Sequence, residues 1–236
     1  MRGSSMEIYV GTSGWLYDWN AGGSLEWYVK HSGLNAVELN MSFYRYPTRR
    51  MVESWSERGR SLRWSIKTNR IITHVYRLNE KAIEAWDRFR KMFSPMEDLI
   101  HHYLFQLPPS LGPRYASRIE KFASVTQLGS RLALEWRNPE WFRDTWIEWA
   151  EKIGVTVVSI DAPDLPRIIM KSGSVIYLRM HGRRAWYSHD YSDRELAEVA
   201  SSIAKLSPSQ VYVYFNNDHA MLKNAQRMLN ILLDIS

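Results

Sequence analysis

The chain has 236 residues, 45% hydrophobic and 24% charged, with a formal net charge of +6 and no cysteine. These proportions exclude disordered and collagen-like classes, and the missing cysteine excludes disulfides, thiolate metal sites and a cysteine nucleophile. No apolar run approaches the roughly 18 residues of a membrane span, and Met1–Ser5 precede no signal-peptide core, so we expect a cytoplasmic protein without a membrane partner.

The chain length predicts one domain. Residues 1–5 are interpreted as a remnant of cloning or an alternative start, with Met6 opening the native chain. No linker or shift in composition divides residues 6–236. One α/β barrel routinely reaches about 250 residues, so we expect a single domain over 6–236.

Short runs rich in Val, Ile, Leu and Tyr recur along the chain and are typical of buried strands. Their starts are about 29 residues apart on average, close to the roughly 31 residues per unit of an eightfold barrel. There are eight such runs: Ile8–Thr12, Ala36–Asn40, Trp64–Lys67, Tyr103–Gln106, Leu132–Glu135, Thr156–Asp161, Val175–Arg179 and Val211–Phe215.

Segments of helical period lie between these runs. The clearest are Asn79–Phe93, Arg114–Leu128, Trp141–Ile153, Ser192–Leu206 and His219–Leu233. Strands that alternate with helices predict parallel pairing through right-handed crossovers. The fold class is therefore predicted as α/β, a single TIM-type (β/α)8 barrel.

Alternation along the strands places polar residues on the inner face at the strands' C-terminal ends. Side chains alternate between faces, and the bulky apolar set of each strand is expected under the helices. Active sites of such barrels lie at the C-terminal mouth. The ends predicted to meet there are Glu38, Lys67, Gln106, Glu135, Asp161, Arg179 and Asn216.

Seven separated motifs follow one another in an order that resembles a known family. They are Gly11–Trp15, Val37–Asn40, Ile66–Lys67 with Ile72–His74, Phe105–Pro109, Leu134–Pro139, Tyr177–Gly182 and Tyr214–Asp218. The chain is similar, from about Tyr9 to its end, to the domain of unknown function 72 family, the YecE-like proteins. This resemblance implies a TIM-type barrel and leaves the chemistry open.

Two carboxylates are the candidates for acid–base work. Glu38 and Glu135 are expected at inward strand ends, where partial burial moves a carboxyl pKa toward neutrality. The alternative is a structural ring of ion pairs with Lys67, Arg137 and Arg179. The sequence favours neither interpretation.

Two histidines are candidates for proton transfer, because imidazole titrates near physiological pH. His181 shares a strand face with Arg179 and precedes Gly182, and His74 lies just beyond the third strand. The alternative role of each is a structural hydrogen bond.

Carboxylates and a histidine at the mouth also suggest a metal site of undetermined identity. No His-Glu-x-x-His signature occurs, so a transient divalent ion such as Mg²⁺, or no metal, is favoured over permanent zinc. The candidate donors are Glu38, Glu135, Asp161, His181 and Asp218.

Anion recognition is suggested by the excess of arginine, with 22 Arg against 9 Lys. The turn Gly11–Gly14 offers backbone N–H groups. The stretch 179–191 interleaves Arg183 and Arg184 with aromatic residues. In proteins that bind single-stranded nucleic acid, basic side chains contact the phosphates and aromatic rings stack on the bases. Further candidates for substrate contact are Trp15, Tyr44, Lys67, Arg137, Asp161, Arg179, Trp186, Asn216 and Asn217.

Three functions are compatible with these features. The leading hypothesis is a nucleic-acid-binding, nuclease-like hydrolase that processes phosphodiesters at the barrel mouth. The second is an enzyme of small molecules such as sugars or sugar phosphates, and the third is a non-catalytic barrel that binds a partner. The sequence does not determine the oligomeric state.

Overall fold

A computed structural model describes residues 6–236, so the interpretation of residues 1–5 lies outside the described residues. Eight parallel strands form one closed barrel in which β1 pairs with both β2 and β8. The strands are β1 (Glu7–Ser13), β2 (Ala36–Leu39), β3 (Arg63–Lys67), β4 (Ile100–Gln106), β5 (Leu132–Glu135), β6 (Thr156–Asp161), β7 (Val175–Met180) and β8 (Gln210–Phe215). The predicted α/β barrel is confirmed.

Helices cover the outside of the barrel between most of the strands. They are α1 (Leu25–His31), α2 (Arg49–Arg58), α3 (Glu80–Met92), α4 (Ala116–Thr126), α5 (Asp144–Lys152), α6 (Asp193–Lys205) and α7 (Met221–Asp234). Residues 162–174, between β6 and β7, contain no helix. Instead the Ser159 hydroxyl on β6 accepts from the Met170 N–H at 2.8 Å, which ties this connection to the outer face of the strand.

Local sequence sets where the helices begin. The side chains of Ser24, Thr48 and Asn79 each accept a backbone N–H of the first turn of α1, α2 and α3. Ser192 and Glu195 form a reciprocal capping box at α6. Such caps satisfy N–H groups that have no partner within the helix.

The barrel interior is filled by aromatic and small side chains below the mouth. The rings of Tyr177 and Tyr212 are stacked with centroids 6.4 Å apart, and His102 packs edge-on against both. Small neighbours such as Ala36 and Ala133 make room for these rings. The mouth residues therefore rest on a packed floor.

The inner face of β6 differs from the prediction. Pairing of Ala133 with Thr156 and of Tyr177 with Val158 places Thr156, Val158 and Ile160 on the inner face. Because neighbouring side chains alternate, Asp161 points away from the barrel interior. The expectation that Asp161 joins the mouth residues is wrong.

No helix within residues 6–236 combines the length and the apolar character needed to span a bilayer.

Candidate functional site

Glu38, at the end of β2, is fully buried and all its hydrogen bonds come from within the barrel. Its carboxylate accepts from the Ser13 hydroxyl at 2.8 Å, the Tyr177 hydroxyl at 2.6 Å and Arg179 Nη2 at 2.7 Å. These donors occupy both oxygens of the carboxylate and fix its position. Glu38 therefore anchors the Arg179 guanidinium.

Glu135, at the end of β5, receives arginines from two sides. Arg179 Nη1 donates to it at 2.7 Å and Arg137 Nε donates at 2.6 Å. Burial raises the pKa of Glu135, but Arg137 and Arg179 outweigh burial and hold that pKa well below its usual range. The expected shift of this pKa toward neutrality does not occur, because the attraction of two guanidinium groups stabilises the carboxylate by more than burial destabilises it.

Arg179 connects the two carboxylates across the barrel and is 1% exposed. Burial alone would lower the pKa of Arg179, but Glu135 and Glu38 raise it by more. The pKa therefore lies above its ordinary value, and the guanidinium stays charged. The set of Glu38, Glu135, Arg137 and Arg179 is called the mouth ion cluster below. It has the form of the ion-pair ring considered from the sequence, without Lys67 as a paired member.

Lys67, at the end of β3, lies beside this cluster with a side chain that is 9% exposed. Its ammonium stands 4.3 Å from the centre of the Phe43 ring. Among residues 6–236 it has neither an ion pair nor a hydrogen bond from Nζ. Burial and the neighbouring Arg179 lower the pKa of Lys67 to about 7, so the free amine is well populated at neutral pH.

His181 follows β7 and lies under the segment 182–187. It is 1% exposed, and both of its ring nitrogens are buried without a hydrogen-bond partner in the described part of the chain. Trp186 and Tyr187 pack on the imidazole with ring centroids 5.3 and 5.5 Å away. Burial and Arg179 lower the pKa of His181 well below its usual value, so the ring is neutral.

Gly182 allows this segment to turn back over the mouth. Its φ is +116°, and a Cβ there would lie 2.5 Å from the Ala185 carbonyl oxygen. Any larger residue is therefore excluded by both backbone conformation and space. Trp186 then lies against Arg137, whose guanidinium carbon is 5.1 Å from the ring centre.

His74 lies on a π-helical turn, Ile71–Val75, at the rim of the mouth. Its Nδ1 shares a hydrogen bond of 2.8 Å with the Thr73 hydroxyl, and its ring packs edge-on against Phe43. Burial and Lys67 lower the pKa of His74 to about 4. The histidine is therefore neutral near pH 7.

Asp161 and Arg183 form a separate network outside the barrel. Asp161 accepts from Arg183 Nε and from the Tyr191 hydroxyl, both at 3.0 Å. Arg183 also lies 3.7 Å from Glu195 and 3.6 Å from Glu198. Arg183 is therefore neutralised by acidic residues, unlike the expectation that it meets phosphate, whereas Arg184 is exposed.

The remaining aromatic and amide candidates are distributed around the rim. Trp15 is 7% exposed because its ring packs edge-on against Trp55 and Trp64, so it belongs to the core as well as to a cleft nearby. Tyr44 is 74% exposed and lies outside the mouth ion cluster. A cleft of about 340 Å³ beside β1 and β2 is lined by Ser13, Trp15, Tyr17, Asn40 and Trp55, among others.

The two amides after β8 have different environments. Asn217 is buried and donates to the His189 carbonyl at 2.6 Å and to Asn224 Oδ1 at 2.7 Å. It thereby fixes the connection after β7 to helix α7. Asn216 is half-buried, and its backbone N–H donates to the Met180 carbonyl at 2.9 Å.

The five candidate metal donors do not converge. No group of three or more His, Asp or Glu side chains within residues 6–236 is arranged to hold an ion. Arg179 lies between Glu38 and Glu135, and Asp161 faces outward. Asp218 is half exposed near His219. The phosphate cradle expected at Gly11–Gly14 uses the Thr12 and Gly14 N–H groups within the chain.

Two site residues were missed by the sequence reasoning. Tyr177 and Ser13 both donate to Glu38. Tyr177 shares a strand face with Arg179, and Ser13 ends the first strand on its inner face, so the strand alternation offered a signal for both.

Comparison with known proteins identifies the family. The family described as "Protein of unknown function DUF72" matches residues 9–234. The chain belongs to the DUF72 family. Among curated relatives, protein YecE of Escherichia coli K12 is 30% identical over 139 residues, which cover 57% of this chain and 50% of YecE. The match therefore spans half the length of that relative.

Solved structures of DUF72 proteins have the same fold. A DUF72 protein of Thermotoga maritima superposes with a TM-score of 0.79 at 25% identity, covering 97% of this chain and 99% of that one. A DUF72 protein of Enterococcus faecalis gives a TM-score of 0.82 at 20% identity, covering 96% and 95%. A xylose isomerase domain protein of Salmonella typhimurium is more distant, with a TM-score of 0.62 at 12% identity over 98% and 100%. That likeness shows the barrel fold alone.

Proposed function

We propose that this DUF72 protein is an enzyme that acts on a small anionic molecule, such as a sugar phosphate or an organic acid, at the mouth of the barrel. The observation that supports this most is that the Lys67 amine has no partner in residues 6–236. The nearby carboxylates of Glu38 and Glu135 already accept hydrogen bonds from Tyr177 and Arg179. Catalytic residues of TIM-type barrels lie at the C-terminal ends of the strands, where Lys67 stands.

The balance of charge at the mouth favours an anion. The mouth ion cluster contains two carboxylates and two arginines, and protonated Lys67 adds one positive charge. Arg137 uses Nε and Nη2 on Glu135, and Nη1 of Arg137 has no partner in residues 6–236. A phosphate or carboxylate group would supply the missing acceptor for Arg137 and the counter-charge for Lys67.

The neutral histidine supports chemistry on the same molecule. A neutral imidazole can accept a proton at one ring nitrogen and donate one at the other. Both nitrogens of His181 are buried and unpartnered, which is costly unless a ligand or water satisfies them. His181 together with Lys67 would provide proton transfer next to the anionic group.

Calorimetric titration tests the proposal. We expect ribose 5-phosphate and pyruvate to bind at least tenfold more tightly than their uncharged counterparts, ribose and acetone. Arg137→Gln and Lys67→Met should each weaken binding of the charged compounds, since a charge-assisted hydrogen bond contributes about 1.5–3 kcal/mol. Arg49→Gln, whose side chain is 64% exposed on α2, is the control and should bind as the wild type does. Equal affinity for the charged and uncharged compounds would refute the proposal.

The second candidate function is the binding of single-stranded nucleic acid at the rim. It is supported by exposed Arg184 and by Tyr187, which is 47% exposed on the segment covering the mouth. This candidate is limited to binding, because the carboxylates expected to serve hydrolysis are paired with arginines.

Titration of a fluorescent oligonucleotide at several salt concentrations tests this candidate. If Arg184 contacts a phosphate, Arg184→Ala should reduce the slope of log affinity against log salt by about one. Arg183→Ala should leave the slope nearly unchanged, because Asp161 already neutralises Arg183. Absence of binding by the wild type at low salt would remove this candidate.

A further inference from the structure

We propose that Lys67 is a nucleophile that forms an imine with a small carbonyl compound carrying a carboxylate or phosphate group. This inference rests on the proposed function and specifies its substrate class. In a purely electrostatic site, Lys67 would bind the substrate as a charged ammonium. Here it forms a covalent bond to the substrate instead.

The first argument is the freedom of the amine. Lys121 and Lys171 are held by partners: Lys121 Nζ is 2.9 Å from Glu80, and Lys171 Nζ donates to the Leu206 carbonyl at 2.7 Å. Lysines without a partner in the described part of the chain, such as Lys205, are exposed to solvent, whereas Lys67 is buried. Lys67 Nζ has no such partner in residues 6–236, although carboxylates lie nearby. Arg179 and Arg137 occupy these carboxylates and so keep the amine out of an ion pair.

The second argument is the position of the side chain. Lys67 is on the inner face of β3, and its carbonyl accepts from the Ser42 hydroxyl at 2.6 Å, which fixes the end of the strand. The Phe43 ring supports the amine from one side. An amine that is nearly enclosed yet unpaired is desolvated, which favours its neutral, nucleophilic form.

The third argument is the chemistry of the step. The nitrogen lone pair attacks the carbonyl carbon, and the carbonyl oxygen takes up a proton to give a carbinolamine. The C–O bond then breaks, the oxygen leaves as water after a second protonation, and nitrogen loses its two protons. Amine and carbonyl compound thus give imine and water, with no oxidant or reductant. His181, whose two ring nitrogens are unpartnered, can relay these protons by accepting one at one nitrogen as it donates another from the second, so the ring stays neutral overall.

The fourth argument limits the substrate. Nη1 of Arg137 and the positive charge of the mouth favour an anionic group near the carbonyl carbon. The imine, when protonated, carries a positive charge at the Lys67 position, and an anionic group on the substrate would offset the burial and the Arg179 charge that disfavour it there. A 2-oxo acid or a phosphorylated ketone meets both requirements.

Reductive trapping tests the inference on the full chain. The protein is incubated at pH 7 with pyruvate, glyoxylate or dihydroxyacetone phosphate and sodium cyanoborohydride, and then mapped by peptide mass spectrometry. We expect one of these compounds to modify Lys67 at least tenfold faster than any of the other eight lysines. Lys67→Arg should lose this adduct, whereas Lys205→Arg, an exposed change at the end of α6, should keep it.

Several outcomes would overturn the inference. Adducts spread over exposed lysines at similar rates would show that Lys67 has no special reactivity, and the wild-type peptide map alone decides this if Lys67→Arg fails to fold. Absence of any Lys67 adduct with compounds that do bind in calorimetry would refute the imine and leave the proposed function standing. Absence of both binding and adduct would refute both.

Discussion

Replacing Arg179 with methionine is expected to lower the free energy of unfolding by about 3–5 kcal/mol. The guanidinium is 1% exposed and joins Glu38 and Glu135, both fully buried. Methionine fills similar space but leaves two buried carboxylates without their shared cation. For a chain of this size, this loss corresponds to a melting temperature lower by about 6–20 °C. Urea unfolding followed by circular dichroism at pH 7 measures the change.

Two further variants make this expectation specific. Arg49→Met removes an arginine from an exposed pair with Glu53 and should change the free energy of unfolding by no more than about 0.5 kcal/mol. Adding Glu38→Gln to Arg179→Met should recover part of the loss, because the carboxylate left without a cation is then gone, while Glu135 keeps Arg137. A loss below about 1 kcal/mol in the Arg179 variant would contradict a buried ion cluster.

Replacing Lys67 with methionine is expected to raise the free energy of unfolding at acid pH, and this stabilisation should become smaller as the pH rises. The pKa of Lys67 is about 7 in the folded chain, against an ordinary value of 10.5. The unfolded chain therefore binds the proton more tightly, and protonation of Lys67 favours unfolding. At about 1.36 kcal/mol per pKa unit, protonated Lys67 lowers the free energy of unfolding by about 5 kcal/mol below pH 7. This loss disappears as the pH rises from 7 to 10.5.

The charged and titratable neighbours of Lys67 are Arg179 on β7, His181 just after β7, Glu135 and Arg137 at the end of β5, Glu38 on β2 and His74 on its turn. Between pH 6 and pH 9, the stability advantage of Lys67→Met over the wild type should shrink by about 2.5 kcal/mol. Urea unfolding of both proteins at each pH measures this difference, with Lys205→Met as an exposed control. An advantage that does not change with pH would contradict a low pKa at Lys67.

The strands were predictable because each carries a local signal. Runs such as Leu132–Glu135 and Thr156–Asp161 have the bounds expected from their apolar composition. The orientation of β6 carried no such signal, since Ser159 and Asp161 on one face look like the polar ends of the mouth strands. Its orientation depends on register with β5 and β7 and on the Met170 and Tyr191 contacts that satisfy its outward polar face.

The sequence predicted which residues lie at the mouth of the barrel, but not which of them form ion pairs with one another. Alternation along the strands indicated that Glu38, Lys67, Glu135 and Arg179 meet at one end, and they do. Which cation serves which carboxylate depends on distances across the barrel between β2, β5 and β7, which no single strand encodes. The same distances leave Lys67 unpaired, and that isolation is the basis of its proposed chemistry.

The missing helix between β6 and β7 has an evolutionary consequence. Residues 162–174 run along the outside of the barrel, and a cleft of about 280 Å³ lined by Asp161, Arg183 and Glu198, among others, lies beside them. No packed helix constrains residues 162–168, which precede the Met170 contact with Ser159, and loops accept insertions more readily than helices do. New recognition elements can be added there without disturbing Lys67 or Arg179, so this side of the barrel is where related chains can diverge in specificity at low structural cost.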